Sequence, residues 1–308
     1  MRDREIYKQY LGNLIVGRES PIFDKIWQGS KQQKTQIRRL AAPNSEDALT
    51  WNAFETLRQT KRIDVLLQTK CLGVSSEALS ISEALSIGGV KDATFYFWTK
   101  DRDGNDWREL SEVMKQVEKG PRYSEPDLII VTEQLLLFIE SKLDASWGTC
   151  SRMKRTIRKR QDGCPTPDEC SYWAWGRKRG YDNANGYIRA LFNENFQFKE
   201  NDLESSCSKF YQLMRYYIIG HELAKELSKG FCFICVIDQG FPKPVSIQRL
   251  EAFKEFCNML KDANSMRLTT WQELAKNIHN AASQDSSLVA LQDYLDVSLE
   301  TLSEGYSR

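Results

Sequence analysis

A chain of 308 residues with 41% hydrophobic and 11% aromatic side chains can bury a sizeable core, as one large domain or two small ones. Its 43 Lys and Arg against 42 Asp and Glu leave a net charge of +1, so any nucleic-acid contact must come from a local concentration of cations. No apolar run approaches the roughly 18 residues of a membrane span, and the charged start Met-Arg-Asp-Arg-Glu lacks a signal-peptide core, so a cytoplasmic protein with eight reduced cysteines and no membrane contact is expected.

Residues 1–44 are polar and mixed, with Lys31, Lys34, Arg38 and Arg39 ahead of Pro43. Asn44-Ser45-Glu46-Asp47 then precedes Leu49, Ala53, Phe54 and Leu57, which fall on one helical face behind N-capping candidates. Over 76–87 the hexad Ser-Glu-Ala-Leu-Ser-Ile occurs twice in tandem; a period of six matches no repeat architecture and reads as a local duplication in a helix or loop. Ala93-Thr-Phe-Tyr-Phe-Trp-Thr99 is β-prone and is followed by turn chemistry at Asp103-Gly104. From Trp107, the positions Leu110, Val113, Met114 and Val117 predict a second amphipathic helix.

Two apolar runs follow, Leu128-Ile-Ile-Val131 and Leu135-Leu-Leu-Phe-Ile139, separated by Thr132-Glu133-Gln134; they predict a β-hairpin with both strands largely buried and Glu133 in its solvated turn. Residues 143–208 change character, being polar, rich in Cys, Trp and cations, and without sustained periodicity. A helix resumes at Phe210, with Leu213, Met214, Tyr217, Ala224 and Leu227 on one face, and Phe231-Cys-Phe-Ile-Cys-Val-Ile237 reads as a buried strand. The remainder is expected to be helical, carrying Ile247, Leu250, Phe253 and Leu260, with Thr270-Trp-Gln-Glu273 as a capping box. Interleaved helices and short strands predict an α/β fold, a mixed β-sheet flanked by helices.

The second hairpin strand ends in Glu140-Ser-Lys142. Side chains of a strand alternate faces, so Glu140 and Lys142 project together while Ile139 and Ser141 point the other way. Asp127 stands just before the first strand, and folding the hairpin brings it beside Glu140. Two carboxylates suit a hard divalent cation with oxygen ligands, which lowers the pKa of bound water and neutralises developing charge on a phosphate. A lysine beside them orients the attacking water and stabilises the anionic transition state.

Pro126-Asp127, twelve intervening residues and then Glu140-Ser-Lys142 resemble the PD-(D/E)xK signature of restriction-endonuclease-like nucleases, and this is the only Asp/Glu-x-Lys triplet in the chain. Gln212-Leu-Met-Arg-Tyr216 resembles the Gln-hydrophobic-x-x-Tyr motif of the RecB-type branch, and Glu46 matches the helical acidic residue that many members use as a further metal ligand. The resemblance spans roughly 44–240. It implies a single nuclease domain over 1–308, with a restriction-endonuclease-like core at about 44–240, a basic insertion at 143–208 and a helical C-terminal region at 241–308. It further implies Mg²⁺-dependent (or Mn²⁺-dependent) hydrolysis of DNA by water attack, leaving a 5′-phosphate. Asp127 and Glu140 would be metal ligands, the Ser141 carbonyl would complete the shell, and Glu46 would assist, with Asp47 as the alternative. Lys142, Gln212 and Tyr216 would complete the catalytic group.

Other signals read more plainly. Cys232-Phe-Ile-Cys235 has the spacing of a metal knuckle but lies in a strongly apolar strand, so two buried thiols are expected; Cys150, Cys164, Cys170 and Cys207 match no zinc module. His221 and His279 fall on predicted helices and read as structural or exposed. In the insertion, Arg152, Lys154, Arg155, Arg158, Lys159 and Arg160 place six cations in nine positions, and Tyr172-Trp-Ala-Trp175 leads into Arg177, Lys178 and Arg179. Cations on phosphates and aromatics on bases make this a nucleic-acid contact directly after the catalytic strand. DNA is the expected partner, in restriction or anti-phage defence by analogy; RNA cleavage by the same fold, and a non-catalytic binding or assembly subunit, are the rivals. Whether it works as a homo-oligomer or with a defence-complex partner is left open by the sequence.

Overall fold

The computed structural model describes residues 11–29, 37–42, 45–73, 78–88, 90, 92–117, 125–143, 147–148, 194–197, 209–239 and 243–305. Seven strands form one sheet: β1 (Lys70–Leu72), β2 (Ala78–Ser80), β3 (Ala93–Phe97), β4 (Leu128–Thr132), β5 (Leu135–Lys142), β6 (Gly230–Ile237) and β7 (Met266–Thr270), in spatial order β2-β1-β7-β6-β5-β4-β3. β5, β6 and β7 run parallel, while the two sides of the sheet are antiparallel. The fold is therefore the expected α/β architecture, a mixed sheet between helices.

The helices are α1 (Pro21–Gln28), α2 (Glu46–Gln59), α3 (Ile63–Leu67), α4 (Ile81–Ala84), α5 (Arg108–Val117), α6 (Tyr211–Glu226), α7 (Lys243–Asn258), α8 (Trp271–Ala282) and α9 (Val289–Gly305). They cover both faces, and the strand alternation sorts the core into two clusters. Leu135, Leu137 and Ile139 of β5 face α2, α8 and α9. Leu136 and Phe138 face α5, α6 and α7. Because both faces are covered, all eight residues of β5 are buried, which explains its unbroken apolar run. The first cluster also takes in Leu14, Phe23, Ile26 and Leu40 from the N-terminal tract.

Two helix starts are set by side chains. Ser45 caps α2 by accepting from Ala48 N, and Thr270 caps α8 by accepting from Glu273 N. On α6, Gly220 is forced by close packing, since a Cβ there would lie 2.2 Å from the Phe231 ring on β6.

The structure departs from the sequence reading in two places. The tandem hexad is neither one helix nor a loop. Its first copy supplies β2, pairing Ser80 with Lys70 and Ala78 with Leu72, and its second supplies α4, started by a capping box between Ser80 and Glu83. Strand pairing on one side and a cap on the other override identical local sequence. The tract after 241 also contributes β7, which inserts between β6 and β1; at five residues it is too short to show against its helical surroundings. In the same tract Ile247 is 54% exposed, whereas Phe253 is buried.

Candidate active site

The site lies where β4 begins and β5 ends. β4 and β5 pair with Leu128 opposite Ile139, so Asp127 meets the end of β5, where its Oδ2 accepts the Ser141 N–H at 2.8 Å. Lys142 Nζ lies 2.6 Å from Glu140 Oε1 and donates to Glu46 Oε1 at 3.0 Å and to the Ser141 carbonyl at 2.7 Å. Glu46 stands in the first turn of α2, where the helix dipole favours an acid, and its other oxygen accepts the Leu143 N–H at 2.8 Å. One carboxylate thus ties α2 to the end of β5.

α6 closes the other side. Gln212 Nε2 donates to Glu140 Oε1 at 2.5 Å and to the Tyr216 hydroxyl at 3.2 Å, and that hydroxyl donates to the Glu125 carbonyl at 2.9 Å. One helical turn separates the two residues, so both face the site. The first turn of α6 is fixed by Trp147 and Gly148, whose carbonyls accept from Gln212 N and Tyr211 N. Gly148 has a φ of +78°, and a Cβ on it would stand 3.0 Å from Gln212 Cβ and 3.2 Å from its Oε1, so only glycine permits this approach.

Burial governs the electrostatics. Glu140 is completely shielded from solvent, and this pushes its carboxyl up to about 7 against the pull of Lys142. Asp127 is raised well above the usual carboxylate range by burial and by the neighbouring Glu140. Burial alone would lower the Lys142 ammonium, but Glu140, Asp127 and Glu46 outweigh it and hold its pKa well above the ordinary lysine value. Asp47, beside Glu46, rises to about 6 through burial and the Glu46 charge, with Arg39, Lys142 and the Trp98 indole opposing.

Three oxygens from Glu140, Glu46 and the Ser141 carbonyl therefore surround one point, which the Lys142 ammonium holds. The second oxygen of Glu140 is buried without a hydrogen-bond partner. Among the described residues no three His, Cys, Asp or Glu side chains converge as a metal cluster by themselves. With the carbonyl counted, the donors are all hard oxygens, and the orphaned Glu140 Oε2 and the cation already drawn into the cage fit a divalent ion of the Mg²⁺ class.

Asp127, Glu140, Ser141, Lys142, Glu46, Gln212 and Tyr216, all singled out from sequence, are thus brought together. Arg152, Lys154, Arg155, Arg158, Lys159, Arg160, Arg177, Lys178 and Arg179 lie outside the described residues, as do Cys150, Cys164, Cys170 and Cys207. Cys232 and Cys235 are free, buried thiols, pushed up to about 12 and well above the usual range by burial. Sequence reading missed Asp238, whose N–H donates to the Lys142 carbonyl and whose Oδ1 accepts from Gln272 at 2.6 Å. It also missed Glu125, two residues before Asp127, and Lys100, whose charge acts on Glu125. Only the step from β6 to a polar residue could have flagged Asp238.

A mixed α/β sheet flanked by helices, with carboxylates and a lysine gathered where two adjacent strands meet, has the architecture of the restriction-endonuclease-like class of proteins. Residues 10–295 match the family model described as "Restriction Endonuclease associating with ARP", and the chain belongs to that family, with a nuclease-like function in general. Comparison with curated proteins and with solved structures gave no match. No helix among the described residues is long and apolar enough to cross a membrane.

Proposed function

We propose that this protein is a metal-dependent nuclease of the PD-(D/E)xK type that hydrolyses DNA phosphodiester bonds. The observation that supports it is the convergence of Asp127, Glu140, Lys142 and Gln212, carried by β4, β5 and α6, into one hydrogen-bonded cluster. Asp127, Glu140, the Ser141 carbonyl and Glu46 would hold Mg²⁺ or Mn²⁺. When bound, such an ion supplies a more acidic water and neutralises charge on the phosphate.

The chain's own groups do the rest. Gln212 fixes the Glu140 carboxylate through Oε1, leaving Oε2 open. Tyr216 anchors Gln212 and ties α6 to the residue two before Asp127. Lys142 is the one cation within hydrogen-bonding distance of Glu140 among the described residues, and in the loaded site it would stabilise negative charge on the phosphate and orient the water. The cationic stretches 152–160 and 177–179 would hold the nucleic-acid backbone. In the family description the enzyme associates with ARP, so a protein partner for this chain is part of the proposal, as are a restriction or anti-phage role and a cytoplasmic location.

The test is cleavage of duplex DNA and of RNA side by side with Mg²⁺, Mn²⁺ or EDTA, using wild type and Glu140→Gln. DNA cut by wild type with metal alone, and by Glu140→Gln under no condition, is the expected result. Cutting that persists in EDTA, or in the variant, would refute the assignment; cutting of RNA alone would replace the substrate.

A further inference from the structure

Beside Asp127, the chain makes an unusual turn. β3 ends at Phe97, opposite Leu128, so the next residue, Trp98, stands next to Asp127 and donates its N–H to the Asp127 carbonyl at 3.3 Å. Trp98 and Thr99 both have positive φ, 49° and 72°, and Lys100 N closes the turn on Phe97 O at 2.9 Å. A two-residue hairpin turn with both φ positive favours Asn-Gly or Gly-Gly. A bulky aromatic and a β-branched residue there are costly, and such strain collects at functional sites. What holds the turn is packing: the Trp98 ring stacks on Trp51 of α2, centroids 5.8 Å apart at 9°.

The residue this turn presents is Lys100. Its side chain is only 10% exposed, and the one acceptor its ammonium meets among the described residues is Asp106 Oδ1 at 2.6 Å, on a side chain that is 65% exposed. An ammonium has three donors, so two remain. Glu125, two residues before Asp127, lies within electrostatic reach of Lys100, Asp106 and Asp47. Asp47 also feels the Lys142 charge, so Lys100 and Lys142 act on neighbouring carboxyls that flank the start of β4.

We infer that Lys100, positioned by the Trp98–Thr99 turn, is a substrate-binding residue that grips a backbone phosphate neighbouring the one that is cut. This rests on the nuclease reading above. Asp106 keeps the ammonium in place before substrate arrives and gives it up to the phosphate.

The variants Lys100→Met, which keeps the buried stem, and Asp106→Asn separate this role from that of a structural staple. Lys100→Met should raise KM about tenfold with kcat within about twofold. Its log–log dependence of duplex binding on salt should be shallower by about 0.9. Lys100→Arg should restore both. Asp106→Asn should bind duplex DNA at least as tightly as wild type, because it releases the lysine. If Lys100→Met and Asp106→Asn instead lose melting temperature alike while the salt slope stays at the wild-type value, Lys100 is a staple and the inference fails. Should Lys100→Met not fold, weaker binding by Asp106→Asn would overturn the inference on its own. A wild-type protein that neither binds nor cuts nucleic acid brings down the nuclease reading, and this inference with it; an active wild type with an indifferent Lys100 brings down this inference alone.

Discussion

Lys142 Nζ lies 2.6 Å from Oε1 of Glu140, two residues back on the same strand, and so sits in the oxygen cage that a divalent cation would need. In the proposed metal-dependent reading, the lysine and the ion would compete for one place. Removing the ammonium should therefore favour the ion even where it abolishes turnover. We expect Lys142→Met to be inactive yet to show a larger Mn²⁺-dependent rise in melting temperature than wild type, and Glu140→Gln to show none. An ion at a hundred times its Kd stabilises by about 2.7 kcal/mol, equivalent to several degrees for a chain of this size. An equal rise in wild type and Glu140→Gln would place the ion elsewhere.

Gly148 carries a φ of +78° and lies against Gln212, so its replacement acts on both backbone and site. Gly148→Ala should cost about 1–3 kcal/mol through the left-handed conformation and should push Gln212 off Glu140. Turnover should fall toward that of Gln212→Ala, and the melting curve should shift for Gly148→Ala only. Wild-type turnover in Gly148→Ala would mean that the glutamine is not positioned from this side.

Trp271 is fully buried at the start of α8, and its indole N–H donates to Ser141 Oγ at 3.2 Å, on the face of β5 opposite Glu140. Ser141→Ala leaves that donor without its acceptor and should destabilise by about 1–3 kcal/mol. Trp271→Phe made on the Ser141→Ala background should cost less than Trp271→Phe made alone. Urea unfolding of the four proteins in the cycle checks this; strictly additive losses would show that the hydrogen bond contributes nothing.

His221 packs between Tyr217 and Phe231, with ring centroids at 4.9 and 5.1 Å, and burial lowers its pKa from the usual 6.5. A group with a depressed folded pKa contributes stability that is present above the unfolded value and is lost as the pH falls through the folded one. The His221 contribution should therefore be lost on acidification below pH 6.5, while the raised carboxyls of Glu140 and Asp47 act in the opposite sense, so His221→Phe should gain stability relative to wild type as the pH falls. Melting temperatures from pH 7.5 down to 5 test it, and parallel curves for the two proteins would dismiss the histidine as the cause.

Most of the site was legible because its residues lie close in sequence or one helical turn apart. Asp127 and Glu140 belong to one hairpin, Glu140 and Lys142 to one strand face, Gln212 and Tyr216 to one helix face, and each relation follows from a backbone period. What stayed hidden depends on long-range pairing. β7 is recognisable only because β6 lies alongside it. Asp238 matters only because parallel pairing sets β6 beside the end of β5. Lys100 follows a turn whose two residues, Trp98 and Thr99, run against turn preferences, so nothing local marked it. The duplicated hexad is the sharpest case, since identical hexads can differ in structure only through what surrounds them.

The register of β5 against β6 sets an order of assembly. Leu135 pairs with Gly230 and Lys142 with Ile237, and β7 docks on β6 in turn. β5 thus reaches this neighbour only after the long intervening stretch has been made. On a ribosome, the hairpin bearing Asp127, Glu140 and Lys142 would emerge with one flank bare, and the oxygen cage would lack the helix that brings Gln212. A nascent chain cut short before α6 would carry Asp127, Glu140 and Lys142 without Gln212 and Tyr216, and in the proposed reading such a fragment would not cleave.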